Sequence, residues 1–367
     1  MATTKIKEVA EFIETLAPRS LQENYDNSGL LTGSPEWEVS GILVTLDCVE
    51  DVVDEAIRLK SNLIVAHHPI IFRGQKKLTG ETYVERTIIK AIKHDIAIYA
   101  VHTNLDNVLE GVNKKIAERI GLNRPRILAP RKDTLMKLVT FIPTLHAESV
   151  IQALNEAGAG DIGHYKNCSF RITGTGTFQP TDQAHPHIGT KGQIEKVEEV
   201  RAELIFPRHL ERRILSSLKK SHPYEEVAYF LTSLENENQE AGAGVIGELS
   251  APEEPMEFLK RLKVTMNTSC IRHSAFLQSP VKKVAVCGGS GSFLLSRAIA
   301  SGADVFVSSD FKYHEFFDAE GKIMIADIGH FESEQFTKDL LQEVLKEKFS
   351  NFAINFSGTV TNPISYL

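Results

Sequence analysis

Two stretches of this chain share one pattern, and the stretch between them does not. From Gly41 to about residue 122, short β-branched runs alternate with amphipathic segments, and the same alternation resumes near Val281. That pattern commits a chain to βαβ units around a largely parallel sheet, because parallel strands can be joined only by long crossovers, usually helical. Strands are predicted at 42–47, 62–66 and 96–101, with helices at 49–60, 82–94 and 111–120. The later stretch predicts strands at 283–287, 304–307 and 322–326 and helices at 293–301 and 333–348, the last with apolar residues three and four apart.

The middle carries a weak internal repeat. Val139-Thr140-Phe141-Ile142-Pro143 followed by residues 147–154 resembles Ala202-Glu203-Leu204-Ile205-Phe206-Pro207 followed by residues 210–218. Each is a strand, a proline stop and a helix, and a second strand after each helix would complete a βαββαβ unit of the ferredoxin-like type. Gly158-Ala159-Gly160 and the polar run 236–244 read as flexible joints. The expected organisation is α/β overall: residues 1–130 form the first half of a split α/β domain, 131–247 an inserted ferredoxin-like α+β domain, and 248–367 the second half.

Composition narrows the function classes. A chain of 367 residues, 42% hydrophobic, can bury two real cores. Its formal charge of −7 supplies no overall basic field, which argues against nucleic acid as a partner. Residues 1–15 alternate charged and apolar side chains without the apolar block of a signal peptide, and no run reaches membrane-spanning length, so a cytoplasmic location with no membrane partner is expected. Cys48, Cys168, Cys270 and Cys287 form no CxxC pair, so neither a zinc ribbon nor a disulfide framework is implied and four buried or idle thiols are expected.

Residues of metal-ligand type stand where the strand-like runs stop. Ile64-Val65-Ala66 leads into His67-His68-Pro69, residues 97–101 into His102-Thr103-Asn104-Leu105-Asp106, and residues 323–326 toward Gly329-His330-Phe331-Glu332-Ser333-Glu334. Ligands of open α/β sheets bind at strand ends, so these pieces could meet in one crevice. Adjacent histidines on a continuing strand would face opposite ways, but Pro69 ends the ladder and lets both imidazoles turn toward one region. His330 and Glu334, four apart at a helix start, project from one face. Each piece alone also has a plain reading: a structural histidine pair, acids favoured by the helix dipole, a capping aspartate at Asp106. It is the conjunction that points to metal. Three neutral histidines with Asp106 and Glu334 carry −2 against +4 for two divalent ions, and the residual +2 would acidify a water and attract a phosphate. Mixed nitrogen and oxygen ligation suits zinc, iron, manganese or cobalt alike.

Gly288-Gly289-Ser290-Gly291 lacks the lysine of a P-loop and reads as a tight turn, and His185-Pro186-His187 reads as a loop. His102, Asp310 and His314 are candidates for supporting the ligands or moving protons, although for Asp310 and His314 a helix-start aspartate and a solvated histidine are the plainer reading.

The strings Tyr25-Asp26-Asn27-Ser28-Gly29-Leu30, Ala66-His67-His68-Pro69, His102-Thr103-Asn104-Leu105-Asp106, Cys287-Gly288-Gly289-Ser290-Gly291 and Gly329-His330-Phe331-Glu332-Ser333-Glu334, in this order, resemble the Ngg-interacting-factor-three-like family, whose members are often labelled GTP cyclohydrolase 1 type 2 homologues. The resemblance spans both flanking halves. It implies two divalent ions per chain, with His68 and Asp106 on one, His67 and His330 on the other, and Glu334 on both. It further implies a middle insertion resembling the nitrogen-regulatory and copper-tolerance proteins, carried by Ser221-His222-Pro223-Tyr224-Glu225-Glu226-Val227-Ala228-Tyr229, and a ring-like homohexamer. Tyr25 stands where tryptophan is frequent in the family, and still supplies an aromatic wall. The function implied is a metal-dependent hydrolase that opens the GTP ring or cleaves a phosphate ester, with a nucleotide or other phosphate-containing small molecule as substrate. The alternative is a non-enzymatic, metal-holding oligomer whose insert senses a small molecule or binds a partner.

Overall fold

The computed structural model describes residues 3–367, and the chain divides into two compact units, Met1–Pro130 with Glu240–Leu367, and Arg131–Gln239. In the first unit, one sheet runs in the order β1 (Gly29–Thr32), β4 (Ala97–Ala100), β3 (Leu63–Ala66), β2 (Gly41–Thr45), β15 (Ala353–Phe356). β4, β3, β2 and β15 are parallel, and β1 is an antiparallel edge. The other sheet runs β11 (Arg272–His273), β14 (Met324–Asp327), β13 (Val305–Ser309), β12 (Val281–Ser290), β10 (Asn238–Glu253), β5 (Asn123–Arg131), with β12, β13 and β14 parallel.

β2, β3, β4 and β14 are buried along their whole lengths, as expected of parallel strands covered on both faces. A single cluster of buried side chains runs from Val44, Val65 and Tyr99 through Val112 and Ile116 to Val286 and Val307, so both sheets share one core. The helix Val112–Ile120 that bridges them buries Val112, Ile116 and Ala117 on one stripe and stops at Gly121, whose φ of 83° is the left-handed cap position.

The second unit is one antiparallel sheet in the order β7 (Phe170–Phe178), β8 (Glu195–Pro207), β6 (Leu135–Pro143), β9 (Tyr229–Leu234). The helices Ala147–Glu156 and Glu211–Ser221 complete βαββαβ, and Leu138, Ile142, Val150, Leu154, Leu204, Phe206, Ile214 and Leu218 fill the core of this ferredoxin-like unit.

Two local expectations fail. The polar run 236–244 does contain the boundary between the two units, at Gln239–Glu240, but it is not a loose joint: from Asn238 it is part of β10, whose Val245–Glu248 stretch is paired with β12. The single helix expected over 333–348 is two, His330–Glu334 and Thr337–Lys348, broken at Gln335–Phe336. The short first helix is what brings Glu334 inward, only 2% exposed. Among the described residues no helix is long and apolar enough to cross a membrane.

Candidate metal centre

Parallel strands β3, β4, β13 and β14 all deliver their next residues to one place. The backbone of His67 and His68 still ladders onto β2, donating to Thr45 O and Leu46 O, before Pro69 ends the strand. Val101 N–H likewise donates to Ala66 O, and the one-turn helix Thr103–Asp106 then carries Asp106 back over the strand ends. After β14, Gly329 at φ 91° turns the chain into His330–Glu334, whose first and last residues share a face. All five predicted ligands are brought together.

The donors fall into overlapping groups, joined through His67, His68 and Glu334. His67 Nε2 lies 3.6 Å from Asp106 Oδ1 and 3.8 Å from Glu334 Oε1, while His68 Nε2 and His330 Nε2 lie 3.0 and 3.1 Å from Glu334 Oε2 and 3.4 Å from each other. The geometry therefore pairs His67 with Asp106 and His68 with His330, and Glu334 turns one oxygen to each pair. Two of these separations, 3.4 and 3.6 Å, match the donor spacing of about 3.3–3.6 Å around a tetrahedral ion with bonds of 2.0–2.2 Å.

The inner group has the chemistry of a cation site. His67 is fully buried, and its Nδ1–H donates to Val101 O at 2.9 Å, which leaves a bare lone pair on Nε2. That lone pair faces two carboxylates. His67 Nε2 and Asp106 Oδ1 are both buried without a hydrogen-bond partner, a costly arrangement that a cation between them would resolve. Burial holds the His67 imidazole neutral, and burial together with the Glu334 charge pushes the Asp106 carboxyl well up. Glu334 is driven the other way: burial opposes its charge, but His330, His67 and His68 outweigh it and hold it ionised.

Each histidine of the outer group has a carboxylate behind it. His68 Nδ1 bonds Asp47 Oδ1 at 2.8 Å, and His330 Nδ1 bonds Asp310 Oδ2 at 2.7 Å. Such partners fix the tautomer and raise ligand basicity. Burial disfavours a proton on either ring, yet the surrounding carboxylates win, raising His68 to about 10 and His330 to about 11 in the ion-free protein. His102, whose Nδ1 bonds Asp26 Oδ1 at 2.7 Å, places a ring nitrogen within 4.8 Å of those of His67 and His68. Asp26 in turn is held by Thr103 through its backbone N–H and its hydroxyl.

Of the three candidate supporting residues, Asp310 and His102 are at the site. His314 is exposed, its ring against Tyr313 and Phe317. Asp47, expected inside the strand 42–47, stands instead two residues past β2, as His68 stands past β3. The glycine segment is neither the expected tight turn nor a phosphate cradle: Gly288–Ser290 close β12, with Gly288 N–H donating to Asn113 and Gly289 N–H to Ser333. Its role is space, since Gly289 has φ +61° and a Cβ there would collide with Glu334 Oε1. Cys287, beside it, is buried, and burial with the nearby Asp106 and Glu334 pushes its thiol up, away from thiolate chemistry. Cys48 is also buried, whereas Cys270 is exposed, and all four cysteines are free. A crevice of about 200 Å³ opens on the cluster, with Tyr25, His102 and Phe293 among its walls.

The family model described as Duf34/NIF3 (NGG1p interacting factor 3) matches residues 4–363. A "GTP cyclohydrolase 1 type 2 homolog" of Halalkalibacterium halodurans is 40% identical over 365 residues, covering 98% of each chain, and one of Bacillus subtilis is 38% identical over 367 residues, again 98% of each. The crystal structure of a Bacillus cereus protein related to NIF3 superposes with a TM-score of 0.89 at 38% identity, covering both chains completely.

Proposed function

The chain belongs to the Duf34/NIF3 family, and from that premise we propose that it is a hydrolase dependent on two divalent ions, acting on a nucleotide-type or other phosphate-bearing small molecule. The observation that carries this reading is Glu334, a buried carboxylate with one oxygen toward each of two donor pairs. Two ions held there would supply Lewis acidity and lower the pKa of a water. The protein's own part is to hold that centre and present a substrate. Five ligands leave coordination positions free, as a catalytic site needs. His102, held by Asp26, would be the group that takes a proton from a water in the crevice. Tyr25 and Phe293, each 66% exposed, offer flat apolar faces to a base at the rim. GTP is therefore the first substrate to try, after the names of the relatives.

A second reading, a metal-holding regulatory oligomer, is favoured by one observation. The ferredoxin-like unit contains a cavity of about 710 Å³ lined by Phe141, Ile172, Phe178 and Tyr224, with Glu199 at its wall, which suits a small-molecule sensor. Assembly as a hexamer belongs to both readings and is measured by light scattering. The deciding experiment loads the protein with zinc, manganese, iron or cobalt and assays GTP and a panel of phosphate esters. Turnover that disappears in Glu334→Ala, with the oligomer intact, supports the hydrolase. Two bound ions and no turnover on any of these substrates would leave the regulatory reading.

A further inference from the structure

After β15 the chain runs as a strap of irregular backbone from Ser357 to its end. The strap is pinned first at Ser357, Gly358 and Thr359, which all donate to the buried carboxylate of Glu55. It then reaches both halves of the candidate centre. Thr361 Oγ1 donates to Asp47 Oδ2 at 2.6 Å, while the other oxygen of that carboxylate holds His68 Nδ1. The next residue, Asn362, donates from Nδ2 to Glu332 Oε1 at 3.1 Å, and Glu332, 5% exposed, lies in the short helix whose ends are His330 and Glu334. Two consecutive residues thus link the strand-end ligand of one sheet to the helix ligands of the other.

We propose that this strap sets the geometry of the outer ion's site, with Thr361 a positioning residue acting through Asp47 on His68 and Asn362 acting through Glu332 on the His330–Glu334 helix. The inference rests on the two-ion reading above. Its physical basis is that a ligand histidine is only as well oriented as the acid behind it. Asp47 accepts from two sides, and with the Thr361 hydroxyl gone its carboxylate is free to rotate away from the His68 ring. The inner pair has no such dependence, since His67 is oriented by the backbone carbonyl of Val101.

The test titrates ion-free full-length protein with Co²⁺ alone, following the ligand-field absorption and competing with a chromogenic chelator. Wild type binding fewer than two ions would sink the two-ion reading itself, whatever the strap does. Given two, Thr361→Val is expected to weaken the second ion about 10–100-fold and alter its absorption while leaving the first unchanged, and Thr361→Ser to restore both. Circular dichroism and the melting temperature establish that each variant is folded. Wild-type affinity for both ions in Thr361→Val, or failure of the serine to rescue, overturns the strap. Should the valine variant not fold, Asn362→Asp probes the other end by placing a carboxylate against Glu332, and an unchanged second ion there overturns the proposal equally.

Discussion

The inner pair, His67 with Asp106, and the outer pair, His68 with His330, share Glu334 and differ in what lies behind them. The inner pair is backed by a main-chain carbonyl, is sealed from solvent at His67, and keeps two buried atoms without partners. The outer pair is backed by two carboxylates, is partly open to solvent, and satisfies its ring nitrogens even without an ion, by taking up protons. The difference teaches what each position is for. An unsatisfied, desolvated site loses most by being empty and so should hold its ion tightly, whereas a site that protons can fill should exchange its ion and meet the substrate.

The hardest test of that contrast is the residue common to both pairs. Glu334→Gln keeps the shape and removes the charge that each half depends on, so metal analysis is expected to fall from about two ions per chain to near zero. Retention of the inner ion would show that Asp106 and His67 suffice and that the two halves are not joined through Glu334. Gly289→Ala separates them from the other direction. Its Cβ would press on Glu334 Oε1, the oxygen of the inner pair, and its left-handed backbone costs a further ~1–2 kcal/mol. The inner ion should be lost first, with a melting temperature lowered by a few degrees.

Acid provides the next contrast, and the sign follows from the directions of the shifts. At neutral pH the ion-free outer pair carries two protons, because His68 and His330 are raised to about 10 and 11, and both must leave when an ion enters. Affinity for the outer ion should therefore fall about 100-fold for each unit the pH is lowered from 8 to 6. At the inner pair His67, lowered by burial, has no proton to release from Nε2, and Asp106, raised by burial and Glu334, has at most one. The inner slope should be no more than about tenfold per unit. Chelator competition at pH 6, 7 and 8 reads both slopes, and equal slopes would break the distinction.

The cluster itself was legible because each of its residues sits in a short motif after an apolar strand, and strand ends of parallel sheets converge. Its internal arrangement was not. Which donor faces which depends on the tautomer of His67, set by Val101 O on the neighbouring strand, and on the rotation of Glu334 into the space that Gly289 leaves. Neither is written in local pattern. The ferredoxin-like unit was legible from its repeated strand, proline and helix, since that repeat alone constrains the topology. The run Asn238–Gly244 is polar and glycine-rich like a linker, and the boundary between the units does fall inside it, yet its backbone is committed to a long strand. Asp47 and Thr361 are 314 residues apart and meet only because β15 lies beside β2, a pairing that no local periodicity announces.

The smallest expected effect distinguishes the two carboxylates of the outer pair. Asn can still accept the histidine N–H through its amide oxygen, so Asp310→Asn and Asp47→Asn each remove the charge and spare the hydrogen bond. Asp310 is 46% exposed at its side chain, where solvent screens the lost charge, and its carboxylate holds His330. Asp47 is 32% exposed and holds Thr361 as well as His68. Asp310→Asn should therefore weaken the outer ion by about tenfold and Asp47→Asn toward 100-fold, with the inner ion unchanged in both. Isothermal titration with Zn²⁺ measures the two steps separately. A loss at the inner step in either variant would mean that the two pairs are coupled through more than Glu334, and the division between a holding ion and an exchanging one would have to be redrawn.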